Sequence, residues 1–454
     1  MIRRETLAAL RFGFGLGPQH PPVADAADLL AGLTGPDTAA ADFPVTPMEE
    51  HLALARTHVQ LARARRTGEE GALEALRSFN RTRNRAAQRD LMQCLFRAAF
   101  SSDDLRERLV LFWANHFSVA GRNARFRPMA SVFLEDAIRP HLAGNFSELL
   151  RAATLHPLML QYLEQNRSAG PGSAAVQHRG QGGLNENLAR ELLELHTLGV
   201  TGSYTQEDVE GLALLLTGLS FDFEQGFRFR PRLAEPGRFR ILGREYGSDR
   251  PSLADVEEAL DDIARHPDTA RHIGRKLAVH FVSDTPDEGL VEHLAATFAA
   301  GQGALLPVYE ALLEHPAAWV PERAKVKPPF DFIASAMRAL DSRPEQLAEL
   351  LHGRLVLHFA TPMRQMGQPF LRPPSPAGWP EEGAHWITPP LLAARISWAM
   401  SAPERIAPPQ DPRDLVETAL ADAAGDDLRF AAAAAESRLE GIGVVLASPA
   451  FNRR

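Results

Sequence analysis

Apolar residues recur at helical spacing through almost all of this 454-residue chain, and this spacing constrains the fold more than any other feature. Residues spaced in this way share one face of an α-helix, and that face must pack against other helices to leave water. No internal repeat and no obvious linker interrupts the pattern. The sequence therefore predicts a mainly α protein, a large multi-helical single domain spanning residues 1–454.

Three segments depart from the helical pattern. Residues 221–242 alternate apolar and charged side chains around Pro and Gly, which predicts a small appended β-hairpin. Residues 166–183 are rich in Gly, Ser, Ala and Gln and predict a flexible loop. Residues 368–390 are rich in proline but carry Trp379 and Trp386. Because indole rings bury a large apolar surface, this loop is expected to pack over the protein as a lid or binding loop does.

Charge and cysteine content argue against several classes of protein. The formal net charge of −8 argues against binding to the phosphates of nucleic acid. The single cysteine, Cys94, lies in an apolar run and is expected to be a buried, inert thiol. No apolar stretch approaches about 18 residues, and the first residues do not resemble a secretory signal. We therefore expect a cytoplasmic protein without a membrane span.

Lysine is rare in this sequence. Only three of the 49 basic residues are lysines, namely Lys276, Lys325 and Lys327. Such a bias is typical of genomic composition, although a local patch of arginines could still bind an anion through bidentate contacts.

The segment Asn185–Gly199, NENLARELLELHTLG, combines a polar face with an apolar one. At about 100° per residue the polar arc consists of Glu186, Asn187, Arg190, Glu191, Glu194 and Thr197, and leucines fill most of the other side. An ordinary solvated face with ion pairs one turn apart would explain the arc. A functional role is the alternative, because three carboxylates surround one arginine and a glycine-rich loop precedes the helix.

The functional interpretation makes Glu191, Glu194 and Arg190 catalytic and Asn187 a ligand-binding residue. Glu191 and Glu194 are three positions apart, a spacing that can direct two oxygen ligands or an acid–base pair at one point. His196 lies on the opposite, apolar side of the same wheel. It is therefore expected to be a buried histidine bonded to a neighbouring helix.

Two further polar groups lie on apolar helices. The helix Leu105–Phe117 ends in Asn115 and His116, and an unsatisfied buried polar group costs about 1–3 kcal/mol. These residues either form hydrogen bonds between helices or bind a ligand. In the second case Asn115 contacts the ligand, and His116 acts as a general base or as a metal ligand beside the carboxylates of Asn185–Gly199.

The predicted helix Asp268–Val282 carries His272, Lys276 and His280 at four-residue intervals. A solvated basic face would explain this stripe. The alternative is an anion-binding edge, in which Lys276 or His280 binds the ligand and complements the acidic arc.

The run NENLARELLELHTLGVTGSYTQEDV also resembles the signature of a bacterial family known as domain of unknown function 1800. Other segments that are similar to that family are AALRFGFG, FWANHFSV, HPDTARHIGRKLAVHFVSD, KVKPPFDFIASAMRAL, PSPAGWP and LASPAFNRR. The resemblance extends over essentially the whole chain and implies an all-helical protein without an assigned activity. It also implies a neighbourhood of genes for alkaline-phosphatase-like proteins, which often carry export signals. Compared with many relatives, this chain is shortened between the hairpin and Asp268.

Three hypotheses follow for the function. The first is a metal-assisted or acid–base hydrolase for a small anionic or polar substrate. Its pocket would be covered by the loop with Trp379 and Trp386, and a divalent metal would be held by Glu191, Glu194 and His116. The second is a non-catalytic accessory or maturation partner of an alkaline-phosphatase-like protein, docked through the tryptophan loop. The third is a salt-bridge network around the polar arc that only keeps helices in register.

Overall fold

The computed structural model describes residues 2–22, 26–121, 125–179, 182–350 and 356–454. Helices account for most of them, which confirms the mainly α prediction. The α-helices are Arg4–Arg11, Ala26–Thr34, Thr38–Asp42, Met48–Thr67, Ala72–Phe100, Asp104–His116, Ala130–Phe133, Phe146–Leu155, Pro157–Tyr162, Ala174–Arg179, Asn187–Glu191, Gln206–Leu215, Leu253–Ala264, Pro267–Phe281, Glu288–Ala300, Leu305–Glu314, Pro329–Ala339, Pro344–Leu350, Thr361–Gln365, Gly383–Trp386, Pro389–Ser401, Pro403–Ile406, Pro412–Leu420, Asp426–Ala433, Arg438–Ala447 and Pro449–Asn452. Short 3₁₀ turns occupy Arg127–Met129, Arg139–His141, Gln165–Arg167, Pro316–Trp319 and Ala421–Ala423.

The helix Ala72–Phe100 is one element where the sequence pattern suggests two, Glu69–Arg81 and Arg85–Phe100. No proline or glycine lies between residues 72 and 100, so nothing in the backbone interrupts the hydrogen bonds. The helix begins later than predicted because Gly71 has a left-handed φ of 74° and ends the preceding turn.

Side-chain caps fix the first turn of several helices. Thr205 accepts a hydrogen bond from the backbone of Asp208, and the Asp208 carboxylate accepts one in return from Thr205. Ser252 and Asp255 form the same reciprocal pair at Leu253–Ala264. These pairs satisfy amides that have no partner within the helix, so the short polar residues determine where the helices begin.

Three π-helical segments interrupt the α-helical geometry: Leu134–Ile138, Leu192–His196 and Val356–Ala360. The second of them lies inside the predicted helix Asn185–Gly199. A π-helix has more residues per turn than an α-helix, so side chains after Glu191 are rotated from the positions that a regular wheel gives them. The angular positions that an ideal helical wheel gives to the side chains of Glu194 and His196 are therefore shifted.

The β-structure comprises two separate hairpins in the described part of the chain. Leu219–Asp222 pairs with Gly226–Phe229, with Leu219 opposite Phe229. Phe239–Ile241 pairs with Arg244–Tyr246, which lies beyond the predicted end at residue 242. Each pair of strands is joined by a short turn, residues 223–225 in the first hairpin and Leu242 with Gly243 in the second, so each strand pairs with its neighbour in the chain.

One cluster of buried apolar side chains includes residues from Ala8 to Phe451. Near its N-terminal edge, Gly17 lies against the backbone of Arg338, where an added Cβ would be 2.4 Å from the carbonyl oxygen. Arg338 is itself buried and donates hydrogen bonds to the carbonyls of Ala98 and Ala99. The two ends of the sequence therefore contribute to the same core. In the described ranges, no helix is long and apolar enough to cross a membrane.

The two predicted loops contain some regular structure. Residues 174–179 form a short helix within the segment 166–183, of which 180 and 181 lie outside the described residues. In the segment 368–390, only the turn Gly383–Trp386 and the start of the helix Pro389–Ser401 are regular.

Candidate functional site

The loop 368–390 covers a pocket of about 90 Å³. Apolar side chains form most of the wall, among them Leu111, Phe133, Met363, Phe370, Trp379 and Trp386. Trp386 is 1% exposed, so its indole faces inward. We call this cavity the covered pocket. Its mainly apolar lining with a few polar groups is that of a small-molecule site, and its volume is smaller than the roughly 300–1,000 Å³ usual for such sites.

Asn115 holds the covering loop in place. Its side-chain amide donates to the Trp379 carbonyl at 3.1 Å, and its Oδ1 accepts from the Trp379 backbone N–H at 2.7 Å. The adjacent Gly378 has a φ of 83°, and a Cβ there would lie 2.5 Å from Asn115 Oδ1. The loop thus approaches the end of the helix Asp104–His116 more closely than it could if position 378 carried a side chain.

The polar end of the covered pocket is formed by His280 and Glu381. His280 Nδ1 lies 2.8 Å from Glu381 Oε1. Lys325 Nζ lies 3.5 Å from Glu381 Oε2 and donates to Asp284 Oδ1 at 2.5 Å. Burial by itself would raise the pKa of Glu381. The nearby His280, Lys325 and Lys276 more than offset this effect of burial and lower the pKa to about 2. Glu381 is therefore ionised at neutral pH.

The hydrogen bonds of His280 define its tautomer. Its Nε2 lies 3.3 Å from Arg108 Nη2, and a guanidinium can only donate. Nε2 is therefore unprotonated, and Nδ1–H donates to Glu381. Burial lowers the pKa of His280, although the Glu381 charge acts in the opposite direction. An uncharged imidazole, oriented by a carboxylate, thus lies at the pocket wall.

A second buried carboxylate, Asp331, also lines the covered pocket. It accepts hydrogen bonds from Arg108 and from Arg454, the latter at 3.1 Å. Arg108 and Arg454 are each 1% exposed. Because a buried charge is tolerated only with a partner, these groups form one network from Glu381 through His280 and Arg108 to Asp331 and Arg454.

All three lysines of the chain lie at or beside this network. Lys325 is 1% exposed and Lys327 is 2% exposed. Lys327 Nζ lies 4.3 Å from the centre of the Phe451 ring. Burial, together with the nearby Arg323 charge, lowers the pKa of Lys327 to about 7. The shortage of lysines is typical of genomic composition and does not by itself assign a role to Lys325 or Lys327. Their rarity was the signal that could have identified this region.

His116 lies elsewhere, in a buried histidine cluster with His196 and His272. Its ring centre is 6.1 Å from each of theirs. His116 Nε2 donates to the His196 carbonyl at 3.0 Å, and His272 Nε2 donates to the Leu195 carbonyl at 3.1 Å. His116 therefore contacts the backbone at the end of the segment Leu192–His196. His196 is 1% exposed, as expected, but neither of its ring nitrogens has a hydrogen-bond partner in the described structure.

The predicted polar face lies at the surface. Arg190 forms ion pairs with Glu186 at 3.1 Å and Glu194 at 3.4 Å, and its side chain is 40% exposed. Gln206 of the next helix accepts from Arg190 at 2.9 Å. Burial raises the pKa of Glu191, the Glu194 charge raises it further, and Arg190 lowers it. Asn187, the first residue of its helix, is exposed.

The structure thus divides the predicted site residues into three groups. Asn115, His280, Trp379 and Trp386 line the covered pocket, and Lys276 contributes charge to it. Glu191, Glu194, Arg190 and Asn187 belong to the surface face, whereas His116 belongs to the histidine cluster. Within the described ranges, no three His, Cys, Asp or Glu side chains are arranged to hold a metal ion. The set Glu191, Glu194 and His116 is therefore not assembled as a metal site.

The family model for "Protein of unknown function (DUF1800)" matches residues 8–453. The chain belongs to this family. Comparison with curated proteins and with solved structures finds no match. The match includes the residues of the covered pocket, the histidine cluster and the surface face, but it assigns no activity to any of them.

Proposed function

We propose that the protein is an enzyme that performs acid–base chemistry, with hydrolysis as the leading case, on a small molecule in the covered pocket. The observation that carries the proposal is the pair His280–Glu381 on the wall of an otherwise apolar cavity. Ionisable groups with displaced pKa values in a closed pocket are typical of catalytic sites.

The arrangement favours His280 as the proton acceptor. Glu381 holds its Nδ1–H and, because it is ionised, stabilises the imidazolium that forms when Nε2 takes a proton. Glu381 itself, with a pKa of about 2, is too weak a base to remove the proton efficiently at neutral pH. It therefore acts as the positioning residue for His280.

Arg108 supplies a positive charge at the same point. Its contact with His280 Nε2 is long, at 3.3 Å, while Asp331 holds the guanidinium on the other side. A water or substrate hydroxyl that enters between His280 and Arg108 would lose its proton to His280 Nε2 and keep a hydrogen bond from the Arg108 guanidinium. The guanidinium would then stabilise the negative charge that develops on the oxygen.

The pocket wall indicates the class of substrate. Phe133, Met363 and Trp386 favour an apolar body, and the lining also includes the polar side chains of His280 and Glu381. A small molecule with an apolar body and one hydrolysable or acidic polar end fits the apolar and the polar side chains of this lining.

The test is a hydrolysis screen on the full-length protein with chromogenic esters, phosphoesters and amides of short apolar groups. We expect activity on at least one class, and we expect His280→Gln to reduce it by at least about 100-fold. His293→Gln, the same substitution at an exposed histidine, is the matched control and should leave the rate unchanged. Near-ultraviolet circular dichroism establishes that both variants are folded. Activity that survives in a folded His280→Gln variant would refute the assignment.

An accessory role beside an alkaline-phosphatase-like protein is the competing proposal. In that case the tryptophans were expected to dock the partner, but Trp386 is buried and Trp379 is half-buried. Docking through them would require the loop to open. Co-expression with the neighbouring phosphatase-like protein, followed by affinity capture, distinguishes the two proposals, because only the accessory role requires a stable complex.

A further inference from the structure

We propose that a second cavity, next to the covered pocket, binds a phosphoryl group or a comparable small oxyanion through Arg127, Arg364 and Arg372. We call this cavity the arginine cleft. It has a volume of about 310 Å³ and is open to solvent. The proposal is independent of the function proposed for His280 and Glu381.

Three different parts of the chain bring the arginines together. Arg127 begins a 3₁₀ turn, Arg364 lies in the helix Thr361–Gln365, and Arg372 lies in the loop that covers the pocket. Phe370 and Leu371 line both cavities, so the same short segment separates the arginine cleft from the covered pocket. Leu371 has a left-handed φ of 45°, a conformation that a residue with a side chain adopts only at a cost.

Among the described residues, the three guanidiniums have no counter-charge. None of them forms an ion pair or a side-chain hydrogen bond within that part of the chain. The described residues that line the cleft include no Asp or Glu. All three side chains are exposed, so an anion from solvent can reach them.

The electrostatics of the three arginines favour the binding of an anion. Burial lowers the pKa of Arg372, and the charges of Arg127 and Arg364 lower it further. Like charges held together without an anion repel each other, and a bound anion removes that cost. The guanidinium fork matches the oxygens of a phosphoryl group or carboxylate, and three forks around one cleft favour the more highly charged phosphoryl group.

Neutral polar groups complete the lining. Asn84 and Gln88 are one turn apart on the helix Ala72–Phe100 and both contribute to the cleft, as does Thr361. Amide N–H and hydroxyl groups are donors that can bond the remaining oxygens of an oxyanion. The cleft therefore presents donors from at least two sides and no acceptor that carries a negative charge.

Isothermal titration calorimetry on the full-length protein tests the proposal, with inorganic phosphate, pyrophosphate and phenyl phosphate as separate probes. We expect saturable binding of at least one of them. Because a hydrogen bond to a charged group is worth about 1.5–3 kcal/mol, Arg372→Gln and Arg364→Gln should each weaken binding by about tenfold or more. Tighter binding of phenyl phosphate than of inorganic phosphate would indicate an organic phosphate as the ligand, and the reverse order would indicate free phosphate.

Arg413→Gln is the matched control, since Arg413 is an exposed arginine whose partner is Asp411. It should leave binding unchanged. The proposal is overturned if none of the three probes binds, or if the Arg372→Gln, Arg364→Gln double variant binds them as the unmodified protein does. Preferential binding of a single-stranded oligonucleotide, with steep salt dependence, would also overturn it in favour of a nucleic-acid surface.

Discussion

The imidazole of His280 and the carboxylate of Glu381 lie 2.8 Å apart, Nδ1 to Oε1, although 101 positions separate them in the chain. His280 belongs to the helix Pro267–Phe281 and Glu381 to the loop over the covered pocket. The contact therefore joins the loop to the helical body through a buried ion network, not only through apolar packing. If the loop moves to admit a ligand, this hydrogen bond must break or move with it.

Glu381→Gln should lower the free energy of unfolding by about 3 kcal/mol at pH 7, because it leaves the buried Lys325 without one of its charge partners. Glu381 has a pKa below its ordinary value of 4.5, so its stabilising contribution is complete above that pH and is lost as the pH falls towards 2. Urea denaturation measures the change. Glu288→Gln, at a surface pair with Arg275, should cost less than about 1 kcal/mol. Equal effects of the two substitutions would contradict the buried network.

The histidine cluster should make the protein sensitive to acid. Burial, followed by the Lys276 charge, lowers the pKa of His196 to about 3, and burial and Lys276 lower that of His272 to about 4. His116 is also shifted well below its ordinary value of 6.5, with burial as the main cause. Below pH 6.5 the unfolded chain binds protons that the folded protein does not, so stability decreases as the pH falls from 6.5 towards 4.

Each of these histidines contributes about 1.4 kcal/mol per pH unit within that window. The free energy of unfolding can be measured by urea denaturation at several pH values between 7.5 and 5. Below pH 6.5 it should fall with decreasing pH less steeply in His196→Gln than in the unmodified protein, by about 1.4 kcal/mol per pH unit. His293→Gln, at an exposed histidine, should leave the slope unchanged. An unchanged slope in His196→Gln would contradict the assignment.

Arg108→Met and Arg190→Met should differ strongly in stability. Arg108→Met leaves the Asp331 carboxylate in the interior with one partner fewer, and we expect a loss of about 3 kcal/mol or more. Arg190→Met removes two half-exposed ion pairs and should cost less than about 1 kcal/mol. Chemical denaturation of both variants gives the comparison. A large loss for Arg190→Met would favour a structural salt-bridge network on that face.

Gly378→Ala should loosen the loop over the covered pocket. An added Cβ would lie 2.5 Å from Asn115 Oδ1, and the φ of 83° disfavours any residue with a side chain. We expect greater acrylamide quenching of tryptophan fluorescence, as Trp379 and Trp386 become accessible to solvent. Gly425→Ala is the control, because nothing lies within 4 Å of its added Cβ. Unchanged quenching in Gly378→Ala would show that the loop does not depend on this contact.

Cys94 should not react with thiol reagents in the folded protein. It is 7% exposed, and burial raises the pKa of its thiol to about 12. Titration with a chromogenic disulfide should detect no free thiol before denaturant is added and one thiol afterwards. Phe430→Cys, at a side chain that is 75% exposed, should react at once and serves as the positive control. Rapid reaction of Cys94 without denaturant would contradict its burial.

The sequence by itself determined the helical class, because apolar periodicity and capping residues are local properties of the chain. It also placed Cys94 and His196 on buried faces and identified the tryptophan loop as a segment that packs against the body. Asn115, His280, Trp379 and Trp386 could be singled out for the same reason. Each is a polar or aromatic group in a local context where it needs a partner.

Only the tertiary structure decided which of these groups meet. Asn115 and Trp379 are 264 positions apart, and their hydrogen bonds depend on helix packing that no local pattern encodes. The π-helical segment Leu192–His196 likewise follows from tertiary context and alters the faces that a regular helix would present. Local sequence thus determined what each side chain requires. The packing of distant helices determined that Glu381 satisfies His280 and that no described acidic side chain lines the arginine cleft.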